Sequence, residues 1–286
     1  MICIERMIPT TTPYADLHCH TLRSDGSVTP EELVRLAAAR NLPAVAVTDH
    51  DTLSAGPELL ALGQSLGVRV VPGVEISTKD PKTGRKAHIL LYGPKKTQEL
   101  GALCDEICRS RQKAGEEMLE KTQRHYPILR EIVQRHAQWA PALFKQHIML
   151  ALISAGYADV LYGPLFRELF DSKTGLAYSP VSYPNVHEAL EVARASGGVA
   201  VLAYPSEYGS QALLGELAAN GEIHGVEVWH PRNRPEELPQ FQEIAQRHGL
   251  LMTGGTDFHG ANTKRCLPLG SFMTPEEQWD LLAQRL

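Results

Sequence analysis

The chain has 286 residues, is 43% hydrophobic and 21% charged, and carries a formal net charge of −5. That length and apolar content suit one large α/β domain, with or without an insertion, and the acidic balance argues against a general nucleic-acid surface. No run approaches the ~20 apolar residues that span a bilayer and no signal-peptide pattern opens the chain, so the expectation is a cytoplasmic protein with no membrane attachment.

Residues 1 to 13 read as a loose arm. The run Asp16-Leu17-His18-Cys19-His20 then reads as a strand, whose alternation places Asp16, His18 and His20 on one side and Leu17 and Cys19 on the other. A helix is expected from Thr29-Pro30-Glu31-Glu32, with Thr29 as N-cap, Pro30 at the first helical position and Glu32 completing a capping box. Ala44 to Thr48 reads as a strand, a second helix starts near Gly56-Pro57-Glu58, and Val68 to Val71 and His88 to Tyr92 read as further strands. Residues from about 95 to 184 are different: they are helix-rich, with few β-branched runs, and read as a lid inserted over the rest. Alternation resumes with strands at Val199 to Ala203, Gly225 to Trp229 and Leu250 to Thr253. Strand–helix alternation indicates a parallel sheet or barrel, and an α/β barrel assembles its site at the C-terminal ends of its strands.

Ionisable residues recur at the ends of these apolar runs: Ser24-Asp25-Gly26, Thr48-Asp49-His50-Asp51, Gly73-Val74-Glu75, His88 and Thr256-Asp257-Phe258-His259. Isolated charges are costly to bury, so their repetition at strand ends calls for something that compensates them, and a cluster of divalent cations does so. The cysteines at 3, 19, 104, 108 and 266 include no Cys-x-x-Cys pair and read as free thiols of a reducing compartment.

The ordered series DLHCH, SDG, TDHD, GVE, AHILLYG, VLAYP and TDFHG, running from Asp16 to His259, resembles the polymerase and histidinol phosphatase (PHP) family of metal-dependent phosphoesterases. Within it the chain resembles the branch acting on nucleoside 3′,5′-bisphosphates, which carries an insertion at this point. The resemblance implies an α/β fold, a distorted (β/α)7 TIM-like barrel formed by residues 14–94 and 185–286, with residues 95–184 as a helical insertion or lid. It also implies two or three divalent ions of manganese, iron or zinc. His18, His20, Glu75 and Asp257 would hold the first, Glu75 and His88 the second, and Asp25, His50 and His259 the third. Such ions activate water and neutralise phosphoryl oxygens.

One position departs from the family pattern: Tyr204 of Ala203-Tyr204-Pro205 stands where the family has a histidine ligand. Three readings are open. The second site is weakened, Tyr204 ligates as phenolate, or His230 or His147 substitutes; we favour the first. Catalytic roles are implied for Asp257, His259 and His147, and substrate binding for Arg109, Arg111, Lys173 and His230. The expected activity is hydrolysis of a phosphomonoester on a small nucleotide, such as a nucleoside 3′,5′-bisphosphate, or on a short oligonucleotide end, with no obligatory protein partner. The alternatives are a histidinol-phosphate-type phosphatase and a non-catalytic metal-binding regulatory module.

Overall fold

The computed structural model describes residues 12–286, so most of the expected N-terminal arm and Cys3 lie outside the described residues. Strands β1 (Pro13–Asp16), β2 (Ala44–Val47), β3 (Arg69–Lys79), β4 (Lys86–Tyr92), β5 (Val199–Leu202), β6 (Gly225–Trp229), β7 (Leu251–Gly254) and β8 (Thr274–Pro275) form one sheet in the order β7-β6-β5-β4-β3-β2-β1-β8. β1 to β3 are parallel, as are β5 to β7, while β4 runs antiparallel to both of its neighbours. The wholly parallel arrangement expected from alternation is therefore broken by a β3–β4 hairpin. β3 runs through Pro72-Gly73 to Lys79, well past the expected end at Val71, because residues 73–79 pair with 86–92 of β4.

The sheet closes just beyond its strand ends. Leu17 N–H donates to Gly254 O (3.2 Å), Phe258 N–H to His18 O (3.2 Å), and His20 N–H to Phe258 O (2.8 Å), so the continuations of β1 and β7 lie side by side. The result is a nearly closed α/β barrel surrounded by helices.

Strand alternation sorts the apolar residues. Ala15, Leu17, Ala44, Ala46, Leu90, Tyr92 and Val201 meet inside the barrel, where small residues on β1 and β2 leave room for the Tyr92 ring, whose hydroxyl donates to Leu17 O (3.0 Å). Val45 and Val47 face outward onto helices α1 (Pro30–Ala39) and α2 (Pro57–Ser65). Burial on both faces explains why these strands read as continuous apolar runs. Helix α1 starts as expected, with the reciprocal Thr29–Glu32 capping box in place.

Between β4 and β5 lie α3 (Gln98–Gln123), α4 (Arg130–Ala137), α5 (Lys145–Ser154), α6 (Pro164–Phe170) and α7 (Val186–Ala195). The first half of α3 packs Leu100, Cys104 and Ile107 against the barrel. Its second half packs Met118 and Leu119 with Ile148, Leu152 and Phe170 in a separate cluster, so one long helix ties both cores together. After β5 come α8 (Pro205–Tyr208), α9 (Gln211–Ala219), α10 (Leu238–His248) and α11 (Glu276–Ala283). Cys19, Cys104, Cys108 and Cys266 are free, and among the described residues no helix is long and apolar enough to cross a membrane.

Barrel closure depends on a close backbone approach at Gly255, where a Cβ would lie 2.3 Å from His18 Cβ and 2.5 Å from His18 N. Gly255→Ala is expected to cost about 1–3 kcal/mol of stability by overpacking. Urea unfolding checks this, and an unchanged midpoint would refute it.

Candidate metal centre

The ionisable residues converge on one rim of the barrel. His18 and His20 follow β1, Asp25 lies in the next loop, His50 follows β2, and Asp257 and His259 follow β7. His88 reaches the same rim for a different reason: β4 runs against its neighbours, so a residue near its start lies level with the ends of the parallel strands. Glu75 sits within β3 at the centre. Its Oε2 is 3.1 Å from His18 Nε2, 3.2 Å from His20 Nε2 and 3.2 Å from His50 Nδ1, and its Oε1 is 2.7 Å from His88 Nδ1. Asp257 Oδ1 lies 3.4 Å from His20 Nε2, and Asp25 Oδ1 lies 3.3 Å from His259 Nε2.

Among the described residues, donor atoms close enough to share an ion form the groups His18–His20–Glu75, His50–Glu75–His88, His20–Asp25–His50–His259 and His18–Glu227–His230. Within the rim, His20 Nε2, Asp25 Oδ1, His50 Nδ1 and His88 Nε2 are buried without hydrogen-bond partners. Buried polar atoms are seldom left so. Orphaned imidazole nitrogens facing carboxylates are the donor set that borderline divalent cations accept, so these residues fit such ions.

Burial and mutual charge shift the ionisation of these groups. Burial favours the neutral His20 ring, but the facing carboxylates of Asp257 and Glu75 outweigh it and push His20 up to about 10. Burial would raise Glu75, yet His50, His18 and His88 hold its carboxyl well below the usual range. Asp257 is likewise held low against burial, by Arg232 and His259. His50 is driven well below an ordinary imidazole, first by burial.

Tautomers follow from the second partner of each ring. His18 Nδ1 faces Glu227 Oε1 (3.0 Å). Donation there leaves Nε2 free to accept an ion, as in the carboxylate–histidine pairing that orients metal ligands. His259 Nδ1–H donates to Asp257 O (2.7 Å), which frees its Nε2 in the same way. His230 is the reverse case: its Nδ1 accepts from Arg232 N–H (3.1 Å), so Nε2 of the neutral ring carries the proton.

Other carboxylates of the sequence motifs hold the rim in shape. Asp49 accepts from Thr21 N–H, Thr21 Oγ1 and Ser24 Oγ, and Asp51 from Ser77 N–H, Ser77 Oγ and Arg111. Asp16, read as sharing a side with His18 and His20, instead accepts from Thr256 N–H (2.9 Å) and Gly270 N–H (2.8 Å).

Tyr204 enters this centre directly. It follows β5 with φ 27, its hydroxyl donates to Glu75 Oε1, and the same oxygen lies 2.6 Å from His88 Nδ1. Burial and the neighbouring Glu75 raise its pKa well above that of an ordinary phenol.

The residues expected to bind substrate are placed differently. His230 is fully buried, its ring 4.7 Å from that of Tyr204 and 5.4 Å from that of His18, because the turn after β6 folds it inward. Arg111 is committed to Asp51 (2.5 Å) and lies over Phe144. Arg109, two residues earlier on α3, projects from the opposite flank into solvent. Lys173 is exposed in the turn after α6, where its backbone N–H donates to Asp171. His147 is buried behind Asp25, and its Nδ1 accepts from Phe144 N–H (3.2 Å) at the start of α5. That ring caps its own helix and is absent from the ligand groups.

Glu227, Arg232 and Gln146 were not foreseen. Arg232 pairs with Asp257 Oδ2 (2.7 Å) and lies over the Tyr204 ring; Gln146 Nε2 donates to Asp25 Oδ2 (2.8 Å). Glu227 gave a usable signal, an acidic residue inside the apolar run Gly-Val-Glu-Val-Trp, which matches Gly-Val-Glu75.

A barrel with imidazole and carboxylate groups gathered on the rim where its strands end defines a hydrolase of the metal-dependent kind. The PHP domain matches residues 16–189, and the chain belongs to the PHP family of metal-dependent phosphoesterases. It is 36% identical over 247 residues to the phosphoribosyl 1,2-cyclic phosphate 1,2-diphosphodiesterase of Eggerthella lenta, covering 86% of this chain and 94% of that one. It is 34% identical over 256 residues to the 5′-3′ exoribonuclease Rnm of Escherichia coli (85% and 84%). It is 27% identical over 255 residues to the 3′,5′-nucleoside bisphosphate phosphatase of Chromobacterium violaceum (85% and 86%). A solved structure from Bifidobacterium adolescentis, assigned to the metal-dependent phosphoesterases, superposes with a TM-score of 0.86 at 28% identity, covering 97% of each chain.

Glu227→Gln keeps the volume but removes the charge beside His18. It is expected to weaken metal binding by about 10- to 100-fold, read by competition with a chromogenic chelator; unchanged affinity would overturn the assignment.

Proposed function

We propose that this chain hydrolyses a phosphomonoester on a small nucleotide, such as a nucleoside 3′,5′-bisphosphate, or on a short oligonucleotide end. The observation that carries this reading is the ring of partnerless imidazole nitrogens around Glu75 on the open rim. The printed activities of the relatives, on a phosphoribosyl cyclic phosphate, on RNA and on nucleoside bisphosphates, support a phosphate carried on ribose.

In this reading His18, His20, Glu75 and Asp257 hold one ion, Glu75 and His88 border a second position, and Asp25, His50 and His259 hold another. Divalent ions bound there supply Lewis acidity and a water of lowered pKa. The protein's own part is positional. Glu227 fixes the His18 ring, the Asp257 carbonyl fixes that of His259, and Asp49 pins the loop carrying Asp25 through Ser24. Arg232 is the cation best placed for a phosphoryl oxygen, since its planar fork suits phosphate and it already spans Asp257 and the Tyr204 ring. Asp257 and His259 are the groups placed to move a proton at the reacting phosphate. The helical insertion serves as a wall: Gln146 reaches Asp25, Arg111 reaches Asp51, and Phe144 stacks on His50 at 6.3 Å between ring centroids.

The Tyr204 hydroxyl occupies the corner between Glu75 and His88, which supports a weakened second position and a centre of two ions. His230 gathers with His18 and Glu227 and not with Glu75 and His88, which speaks against it as the replacement ligand at that corner.

Manganese-reconstituted protein is expected to release phosphate from adenosine 3′,5′-bisphosphate, and Asp257→Ala to lose that release; turnover retained in the variant would sink the ligand assignment. Tyr204→His is expected to bind one more equivalent of metal by elemental analysis. An unchanged metal content would show that the phenol does not close that position.

A further inference from the structure

We propose that the cavity beside α8 is a second phosphate subsite, which takes the phosphate lying one ribose away from the phosphate that is hydrolysed. This inference rests on the phosphomonoesterase reading above and adds to it the feature of the substrate that is recognised.

The cavity measures about 440 Å³, within the range of small-molecule sites. Arg85 and Lys86 at the start of β4 form one wall, Ser206 and Tyr208 of α8 another, and Arg234 of the loop after β6 a third. It adjoins the metal centre through Tyr208, whose ring lies 5.3 Å from His88 and 5.8 Å from Tyr204. One aromatic ring thus separates the rim from the cavity.

Its cations are differently engaged. Arg234 is held by Glu237 (2.5 Å), and its backbone N–H donates to Ser206 Oγ (3.0 Å). Glu207, the acidic residue of the lining, lies 3.8 Å from Arg232. Arg85 and Lys86 form no ion pair with any described carboxylate, the nearby Lys82 having taken Glu216. Arg85 is exposed, and its Nη1 lies over Gly209, a residue at φ +66. The Lys86 ammonium lies 5.4 Å from the centre of the Tyr183 ring.

A guanidinium fork and an ammonium lining one cavity, both without carboxylate partners, are suited to a phosphate. The intervening Tyr208 offers an apolar face to the sugar or base between two phosphates. The ligand chemistry has two sources, the terminal second phosphate of a nucleoside bisphosphate and the first bridging phosphate of an oligonucleotide.

The test compares wild type, Arg85→Ala and Lys86→Ala, each loaded with manganese, on adenosine 3′,5′-bisphosphate, on 5′-phosphorylated diadenylate and on AMP, which lacks the second phosphate. Losing a charge-assisted contact should lower kcat/KM by about ten- to hundredfold on the first two substrates and leave AMP hydrolysis unchanged. A greater loss on the bisphosphate assigns the subsite to a terminal phosphate, and a greater loss on the dinucleotide assigns it to a bridging one. Equal losses on all three, or none, overturn the subsite. Calorimetric binding separates this from the activity itself. If wild type hydrolyses none of the three but binds the bisphosphate more tightly than AMP, and both variants erase that difference, the subsite stands and the phosphatase reading falls. Equal binding of the two ligands by wild type overturns the subsite.

Discussion

The Glu75 carboxylate is the point on which the rim depends. One oxygen faces His18, His20 and His50, and the other faces His88 and the Tyr204 hydroxyl. A fully buried carboxylate is tolerable only when opposite charge and hydrogen bonds surround it, and here the partners come from several strands. Its position is fixed by the β3–β4 hairpin, which carries β3 through residue 75 and brings His88 back to the same level. The antiparallel course of β4 therefore determines where the centre sits.

Around this core the motif carboxylates divide into two kinds. Asp25, Glu75 and Asp257 keep oxygens turned toward imidazole nitrogens. Asp16, Asp49 and Asp51 spend theirs on backbone amides, hydroxyls and Arg111. The second kind is what makes the first reproducible, because each ligand-bearing turn is tied to another segment through at least one of these bonds. The nitrogens of His18 and His259 that face the candidate ion positions are likewise selected by what the other nitrogen of each ring touches.

The helical stretch between β4 and β5 shows how misleading charge alone can be. Arg109, Arg111 and Lys173 are basic residues in the right stretch of chain. Helical phase turns Arg109 outward, Arg111 is spent on Asp51, and Lys173 sits in an exposed turn. The cation that stands at the metal rim is Arg232, two residues after the buried His230. Which arginine faces a site is decided by the turn that carries it, and side-chain type does not reveal that.

By itself, the sequence determined the strand and helix alternation, the Thr29 capping box and the imidazoles and carboxylates of the rim. These are local facts, set by periodicity, cap chemistry and the cost of burying charge. The ordered motifs also identified the family. The tertiary structure alone decided that β4 runs antiparallel, that Asp16 supports the loops at 256 and 270, that Glu227 orients His18, and that Tyr204 occupies the corner of Glu75 and His88. Each of these is a contact between segments far apart in the chain, whose register and side-chain direction are fixed only when the barrel closes.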